Sequence, residues 1–104
     1  MDEKNIITMI SFAGAAKSKV ISAIRKAAEK NYEEAEMMLN EAEEDLANAH
    51  KAQTEFLFKD CNDKTQNLTK TEVSVLLVHA MDQVMDAMLM RDLAAEIINL
   101  VRKA

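Results

Sequence analysis

Polar side chains with chemical potential interrupt a long apolar run, VSVLLVHAMDQVMDAML, over residues 73–89. They are His79, Asp82, Gln83 and Asp86. Burying such groups without partners costs a few kcal/mol each. If the segment is a helix, a rotation of about 100° per residue puts all four within one narrow stripe, with Met81 on the opposite side. This polar stripe indicates a site rather than a chance scatter of polar residues.

Three interpretations of His79 remain open from spacing alone. It is a hydrogen-bonded core histidine, a metal ligand together with Asp82 at i+3, or a nucleophile whose neutral imidazole carries a covalent group near pH 7. The metal interpretation has only two ligands. The Glu-x-x-His pair of di-iron bundles is absent, because Ala47 precedes His50 and Leu76 precedes His79 at the required distance.

The segment AHKAQTEFL places His50 and Gln53 at i and i+3, on one side of another predicted helix. They form either a surface or interhelical hydrogen-bonding pair, or the lining of a pocket over His79. The single cysteine, Cys61, excludes an intramolecular disulfide and a cysteine-based zinc cluster. The single glycine, Gly14, excludes a glycine-rich phosphate loop.

The elements that must position these residues are helices. The 104-residue chain has no proline and one glycine, and it is rich in helix-forming residues, so an all-α fold is predicted. Breaks are expected at Asn31, as a left-handed residue, and in the polar segment 59–72, where Thr69 and Glu72 fit a capping box. We therefore predict helices at about 4–29, 33–58 and 70–103, forming one antiparallel three-helix domain over residues 1–104.

The second and third predicted helices differ in the character of their surfaces. The second helix has an acidic face that predicts a solvated surface; its residues are Glu33, Glu34, Glu41, Glu44 and Asp45. The third helix is apolar almost all the way round between Val73 and Met90, a pattern typical of a helix buried on every side. Three helices cannot enclose one of their own, so we infer a homo-oligomer with the third helix at its centre.

Charge and hydropathy restrict the partners. There are 13 basic and 18 acidic residues, a formal charge of −5, which argues against nucleic-acid binding. The N-terminus MDEKNIITMI lacks the basic-then-apolar layout of a signal peptide. No stretch of about 18 uncharged apolar residues is present, so we expect no membrane insertion and a cytoplasmic protein.

Three segments together resemble one known family. They are FAGAAKSKVISAIRKAAEKNYEEAEMML, AHKAQTEFL and VSVLLVHAMDQVMDAML. Nearly the whole chain is similar to the lactose/cellobiose-type enzyme IIA of the bacterial phosphoenolpyruvate:sugar phosphotransferase system. The shared motifs are Ala-Gly-x-Ala-x-Ser at residues 13–18, Ala-His-x-x-Gln-Thr at 49–54 and His-Ala-x-Asp at 79–82.

The resemblance implies a homotrimer of three-helix subunits that carries a phosphoryl group on His79. The group would come from the histidine carrier protein HPr and pass to the cysteine of a cognate enzyme IIB, linked through membrane enzyme IIC to uptake of a β-linked disaccharide of lactose, cellobiose or chitobiose type. Asp82 would meet its symmetry mates at the trimer axis and bind a divalent cation there, with Mg²⁺ expected. Gln83, Gln53 and His50 are expected to support His79.

The sequence also departs from the family pattern His-Ala-Gln-Asp-His-Leu-Met. Gln83 replaces the second histidine and Met81 replaces the glutamine, while Ala15 stands where the family usually has an acidic residue. Gln83 lies one turn from His79 on the same side, so it would change the charge around a phosphohistidine. The alternative functions are a diverged, non-catalytic module that binds partners or regulates, and a purely structural helical oligomer.

Overall fold

The computed structural model describes residues 3–67 and 74–104, without the side chains of residues 59–67. The chain forms three helices, α1 (Glu3–Ala28), α2 (Tyr32–Asn67) and α3 (Val75–Lys103). Contacts between α1 and α2, and between α2 and α3, pair the start of one helix with the end of the next, so α1 and α3 run parallel and α2 antiparallel. The rod measures 58 × 17 × 16 Å. The prediction of an all-α three-helix bundle is confirmed.

The turn between α1 and α2 lies one residue earlier than predicted, and Lys30 rather than Asn31 is its left-handed residue, with φ 66°. The Asn31 N–H donates to the Lys26 carbonyl (2.9 Å) and the Lys30 N–H to the Ala27 carbonyl (2.9 Å), the pairing of a Schellman motif. Asn31 instead precedes α2, and its carbonyl accepts the Ala35 N–H (3.1 Å). Asn31 therefore contributes its carbonyl to the start of α2.

The limits of α2 and α3 correct the sequence prediction. α2 continues to Asn67 instead of ending near residue 58. The polar residues after 58 cost at most about 0.7 kcal/mol each in a helix, and no glycine or proline stops it there. α3 begins at Val75, with the Ser74 Oγ accepting the Leu77 N–H (3.0 Å) as the N-cap. The predicted capping box at residues 69–72 lies outside the described residues.

The core of the single chain is built from small side chains. Among the residues whose side chains the structure describes, eleven of the eighteen buried apolar ones are alanines, and the largest fully buried side chains are Ile6, Met9, Val20 and Val84. Alanine on facing helices lets the axes approach closely. Gly14, in the middle of α1, is exposed, and a methyl group added there would contact nothing within 4 Å. Alanines therefore set the close packing of α1, and Gly14 is not needed for it within one chain.

Polar contacts also join α1 to α2 within this apolar packing. The buried Asn5 amide donates to the Ala52 carbonyl at 3.2 Å. The Lys19 Nζ donates to the Asp45 Oδ2 at 2.7 Å, so Asp45 is buried rather than part of a solvated acidic surface, because a cation on α1 reaches it. This hydrogen bond raises the pKa of the Lys19 ammonium. The stabilising contribution of the Lys19 ammonium is thus present at neutral pH and is lost as the pH rises through that raised pKa.

By length and composition, α1 could cross a membrane, since an 18-residue window within it has a mean hydropathy of 1.3. The core helix of a globular protein passes the same test. In the bundle, α1 contributes a buried stripe that includes Ile6, Met9 and Val20. Lys17 and Lys19 charge the middle of the helix.

Candidate functional site

His79 lies on the exposed side of α3, one turn after the helix begins. As predicted, Met81 and His79 lie on opposite sides of α3: Met81 packs against the core, and His79 faces outward. Leu77 and Ala80, on either side of His79, are buried in the core. The backbone under the imidazole is therefore held by packing, and the ring itself is accessible in a single chain. A buried core histidine, the first of the three interpretations, does not match this position.

Large apolar residues surround this position on what we term the outer face of α3. The exposed apolar members of this face are Val75, Val78, Met85, Leu89, Leu93, Ile97 and Leu100. Asp82 lies among them: Val78, Met85 and Leu89 are four residues before and three and seven residues after it, on the same side of a helix. The outer face is an apolar surface with one carboxylate near its middle and His79 near its edge.

A cation on α1 reaches the polar stripe. The Lys17 Nζ donates to the Gln83 Oε1 at 2.6 Å and lies 3.9 Å from the Asp86 Oδ2. Gln83 is half-buried and one turn from His79, with Cβ atoms about 5–6 Å apart at this spacing. Lys17 thus joins Gln83 and Asp86, which lie one and two turns after the exposed His79 on α3.

His50 belongs to a different part of the single chain. It is exposed and borders an open groove of about 450 Å³ between α2 and α3. The groove is also lined by Glu43, Leu46, Ala47, Met88, Arg91 and Asp92. Met88 lies nine residues after His79, about 180° away around α3, so within one chain the groove opens on the other side of that helix. An ion pair between Arg91 and Glu43 ties the two helices together there.

Gln53, three residues after His50, is half-buried on α2. Its Oε1 is shielded from solvent and has no hydrogen-bond partner among the described residues. A buried amide oxygen without a donor is unfavourable by about 1–3 kcal/mol. Gln53 therefore carries a free acceptor, while the donor end of its amide is the part that suits a negatively charged group.

A metal site is not assembled within one chain. Among the described residues, no three His, Cys, Asp or Glu side chains lie close enough together to hold an ion. Asp82 alone offers one exposed carboxylate of the type that Mg²⁺ prefers. Its place on the outer face fits a cation only if further carboxylates come from other copies of the chain.

Lys17 is the residue whose part in this site was missed from the sequence. Its charge was visible as an interruption in the apolar stripe of α1, but spacing along one helix gives no partner on another. Arg91, which lines the groove beside His50, was missed for the same reason. The side chain of Cys61 lies outside the described residues.

The fold and this arrangement define a class: a three-helix bundle with an exposed histidine on an apolar helix face. The family of lactose/cellobiose-specific IIA subunits of the phosphotransferase system matches residues 4–102. The lichenan-specific phosphotransferase enzyme IIA component of Bacillus subtilis is 39% identical over 101 residues, 97% of this chain and 87% of its own length. The chain belongs to the lactose/cellobiose-specific IIA family, as its resemblance to that family predicted.

Solved structures agree with this assignment. The crystal structure of the cellobiose-specific enzyme IIA of Bacillus anthracis superimposes with a TM-score of 0.83 at 35% identity, over 97% of this chain and 88% of that one. The chitobiose IIA of Escherichia coli, solved in solution as a complex with HPr, superimposes with a TM-score of 0.82 at 31% identity, over 97% and 93% of the two chains. The chain is thus a component of the phosphotransferase system by family.

Proposed function

We propose that the protein carries a phosphoryl group on His79 between HPr and a cognate enzyme IIB. The observation that supports this most directly is the exposed His79 imidazole at the edge of the outer face, beside Gln83 and Lys17, in a chain of the IIA family. An imidazole accessible from outside can meet a donor protein and then an acceptor protein. A similar IIA protein was solved in complex with HPr, which supports HPr as the donor.

In the first transfer, the unprotonated ring nitrogen of neutral His79 attacks the phosphorus of phosphorylated HPr in line. The bond between phosphorus and the donor's histidine nitrogen breaks, and its electron pair returns to that nitrogen. The donor ring takes up one proton and the His79 ring releases one, so charge is balanced. The protein's task is to orient the ring and to offer donors to the phosphoryl oxygens.

In the second transfer, the thiolate of the enzyme IIB cysteine attacks the same phosphorus. The His79–phosphorus bond breaks, a sulfur–phosphorus bond forms, and His79 recovers the proton that the thiol released. The enzyme IIB then supplies phosphate for a sugar imported by membrane enzyme IIC. Lichenan, cellobiose and diacetylchitobiose specificities among relatives favour a β-linked disaccharide as cargo. Both exchanges are proposed to take place in the cytoplasm.

Gln83 and Gln53 are the proposed amide donors. Gln83 is one turn from His79, and long helical side chains lean towards the helix N-terminus, which for Gln83 means towards His79. Gln53 lies on α2, and its Oε1 is shielded from solvent without a hydrogen-bond partner among the described residues, so its N–H groups are the part of the amide proposed to meet a ligand. His50 borders the α2–α3 groove, so its support for a phosphoryl group on His79 would have to come from a neighbouring copy.

The outer face supports assembly as a homotrimer with α3 helices at the centre. Within the described part of the chain, nine of the fourteen exposed large apolar residues lie on α3. Such a concentration is typical of a surface covered by another chain. With α3 at the axis, three Asp82 carboxylates would converge and repel, and a divalent cation such as Mg²⁺ would offset that repulsion.

The decisive experiment is phosphorylation with phosphoenolpyruvate, enzyme I and HPr. The parent protein should acquire one acid-labile phosphate per chain, and His79→Ala should acquire none. The matched control is His50→Ala, which removes the other imidazole and should still be labelled. Labelling of His79→Ala at the parent level would overturn the assignment. A parent that binds HPr but takes up no phosphate would identify a partner-binding module instead.

A further inference from the structure

We propose that Lys17 is part of the phosphoryl site: it orients the Gln83 amide and offsets the charge of the phosphoryl group on His79. The inference rests on the proposed function of His79. Its starting point is the hydrogen bond of 2.6 Å that joins the Lys17 Nζ on α1 to the Gln83 Oε1 on α3. The buried positions of α1 nearest to Lys17 are apolar: Ala13, Ala16 and Val20.

The chemistry of the two groups determines how the amide is turned. A lysine ammonium has three donors and no acceptor, so only the carbonyl end of Gln83 can face it. The two N–H donors of Gln83 then lie on the other branch of the planar amide. Because Gln83 leans towards the turn that carries His79, those donors are available to oxygens of a group attached to the ring. Without Lys17, the amide is free to present its oxygen, which would repel a phosphoryl group.

Charge gives Lys17 a second effect at the same place. A phosphoryl group adds about two negative charges at neutral pH. It arrives on a helix side that already carries Asp82 and Asp86, both exposed. Lys17 lies 3.9 Å from the Asp86 carboxylate, and its side chain is 24% exposed, so its charge is only partly screened by water. A cation held there reduces the repulsion between the aspartates and the incoming group.

The same geometry explains how the chain accommodates a glutamine where the family pattern has a histidine. A neutral amide that is oriented by a cation can donate hydrogen bonds much as an imidazole N–H does. The pair Lys17–Gln83 supplies one positive charge and fixed donors from two helices. Gln83 therefore presents its N–H donors to the phosphoryl group only when Lys17 is present.

The test compares the rate of phosphoryl transfer from phosphorylated HPr in Lys17→Met and in the parent, measured by rapid quench over a range of HPr concentrations. Lys17→Met should lower the maximal rate by about tenfold and change the half-saturating HPr concentration by less than about twofold. Lys26→Met is the matched control, since Lys26 is a partly exposed lysine of α1 paired with Glu29 and Glu34. It should transfer at the parent rate.

Three further measurements separate this role from a structural one. Lys17→Arg should recover most of the rate, and the side-chain amide resonances of Gln83 should shift in Lys17→Met but not in Lys26→Met. In a Gln83→Leu background, Lys17→Met should slow transfer by clearly less than tenfold, because the residue it orients is gone. If Lys17→Met unfolds under assay conditions, Lys17→Gln serves as the uncharged variant with a polar end.

Parent-like transfer by a folded Lys17→Met would overturn this inference and leave the role of His79 intact. Transfer by Lys17→Arg as slow as by Lys17→Met would also overturn it, since charge at this position would then have no effect. Labelling of His79→Ala would instead overturn the proposed function itself. The two failures are thus read from different variants.

Discussion

The two sides of α3 differ in the size and the exposure of their side chains. Its inner side, towards α1 and α2, combines the alanines Ala80, Ala87 and Ala94 with the larger Leu77, Val84 and Ile98. Its outer face carries large apolar residues, among them Leu89 and Leu93, which are 59% and 53% exposed. A helix in an isolated bundle usually has its large side chains inside. The difference teaches that α3 packs within its own chain through a row that is half alanine, while most of its large apolar residues stay exposed in the single chain.

This division also separates stability of the subunit from formation of the site. Complete burial of a leucine or methionine contributes about 1.5–3 kcal/mol, so the outer face has more to gain from association than the alanines of the core gain on folding. His79 lies at the border between the two sides. Its backbone is fixed by the inner packing, while its surroundings depend on what covers the outer face.

The largest expected effect comes from placing a charge on the outer face. Leu93→Glu loses a leucine contact and buries an unpaired carboxylate in every copy, which costs several kcal/mol at each. In sedimentation experiments, Leu93→Glu should need a protein concentration more than about a hundredfold higher than the parent needs to assemble. Met37→Glu, which charges an exposed residue of α2 (60% exposed), should assemble like the parent. An oligomer that forms normally with Leu93→Glu would show that the outer face is not the interface.

A smaller effect of opposite sign is expected at Asp82, in the middle of the same face. Asp82→Leu removes like charges that converge in a trimer, so the assembled protein should be stabilised by about 1–4 kcal/mol in chelator, measured by thermal unfolding at fixed protein concentration. Added Mg²⁺ should stabilise the parent and leave Asp82→Leu unchanged. Equal responses of the two proteins to Mg²⁺ would contradict a cation held by these carboxylates. The matched control is Asp86→Leu, which also removes one carboxylate from α3 but at the residue that faces Lys17.

The smallest effect should come from the inner side. Ala87→Leu adds three carbons where α3 is fully buried, and overpacking of this kind costs about 1–3 kcal/mol. Urea unfolding should report the loss in the subunit, with the parent's oligomeric state retained at high protein concentration. Ala47→Leu, at the exposed edge of the α2–α3 groove, should change stability by less than about 0.5 kcal/mol. Loss of assembly in a folded Ala87→Leu would mean that the two sides of α3 are not independent.

The sequence predicted the helix count and the two sides of α3 because both follow from periodicity. Met81 packs inward and His79 faces outward, as a rotation of about 100° per residue requires. Helix limits were less predictable, since Lys30 adopts the left-handed conformation without being glycine or asparagine, and α2 continues through a polar segment to Asn67. Those outcomes depend on small local energies that the whole fold can override.

Contacts between helices were the part that sequence could not supply. Lys19 and Asp45 look like separate surface charges until two helices bring them to 2.7 Å. Lys17 and Gln83, 66 positions apart, meet only because α1 and α3 run parallel at the right height. The resemblance to a family named His79 and Asp82, but the residue that turns the Gln83 amide became visible only in three dimensions.

The slenderness of the rod, 58 Å long and about 17 Å across, has a consequence for the protein in a cell. A body this thin has little interior, so much of its apolar surface stays exposed in the single chain. If copies assemble through the outer face as proposed, mass action links the amount of the assembled form to the total amount of the chain. Expression level would then set how much of the protein is assembled and how much is present as single rods with that face exposed to proteases.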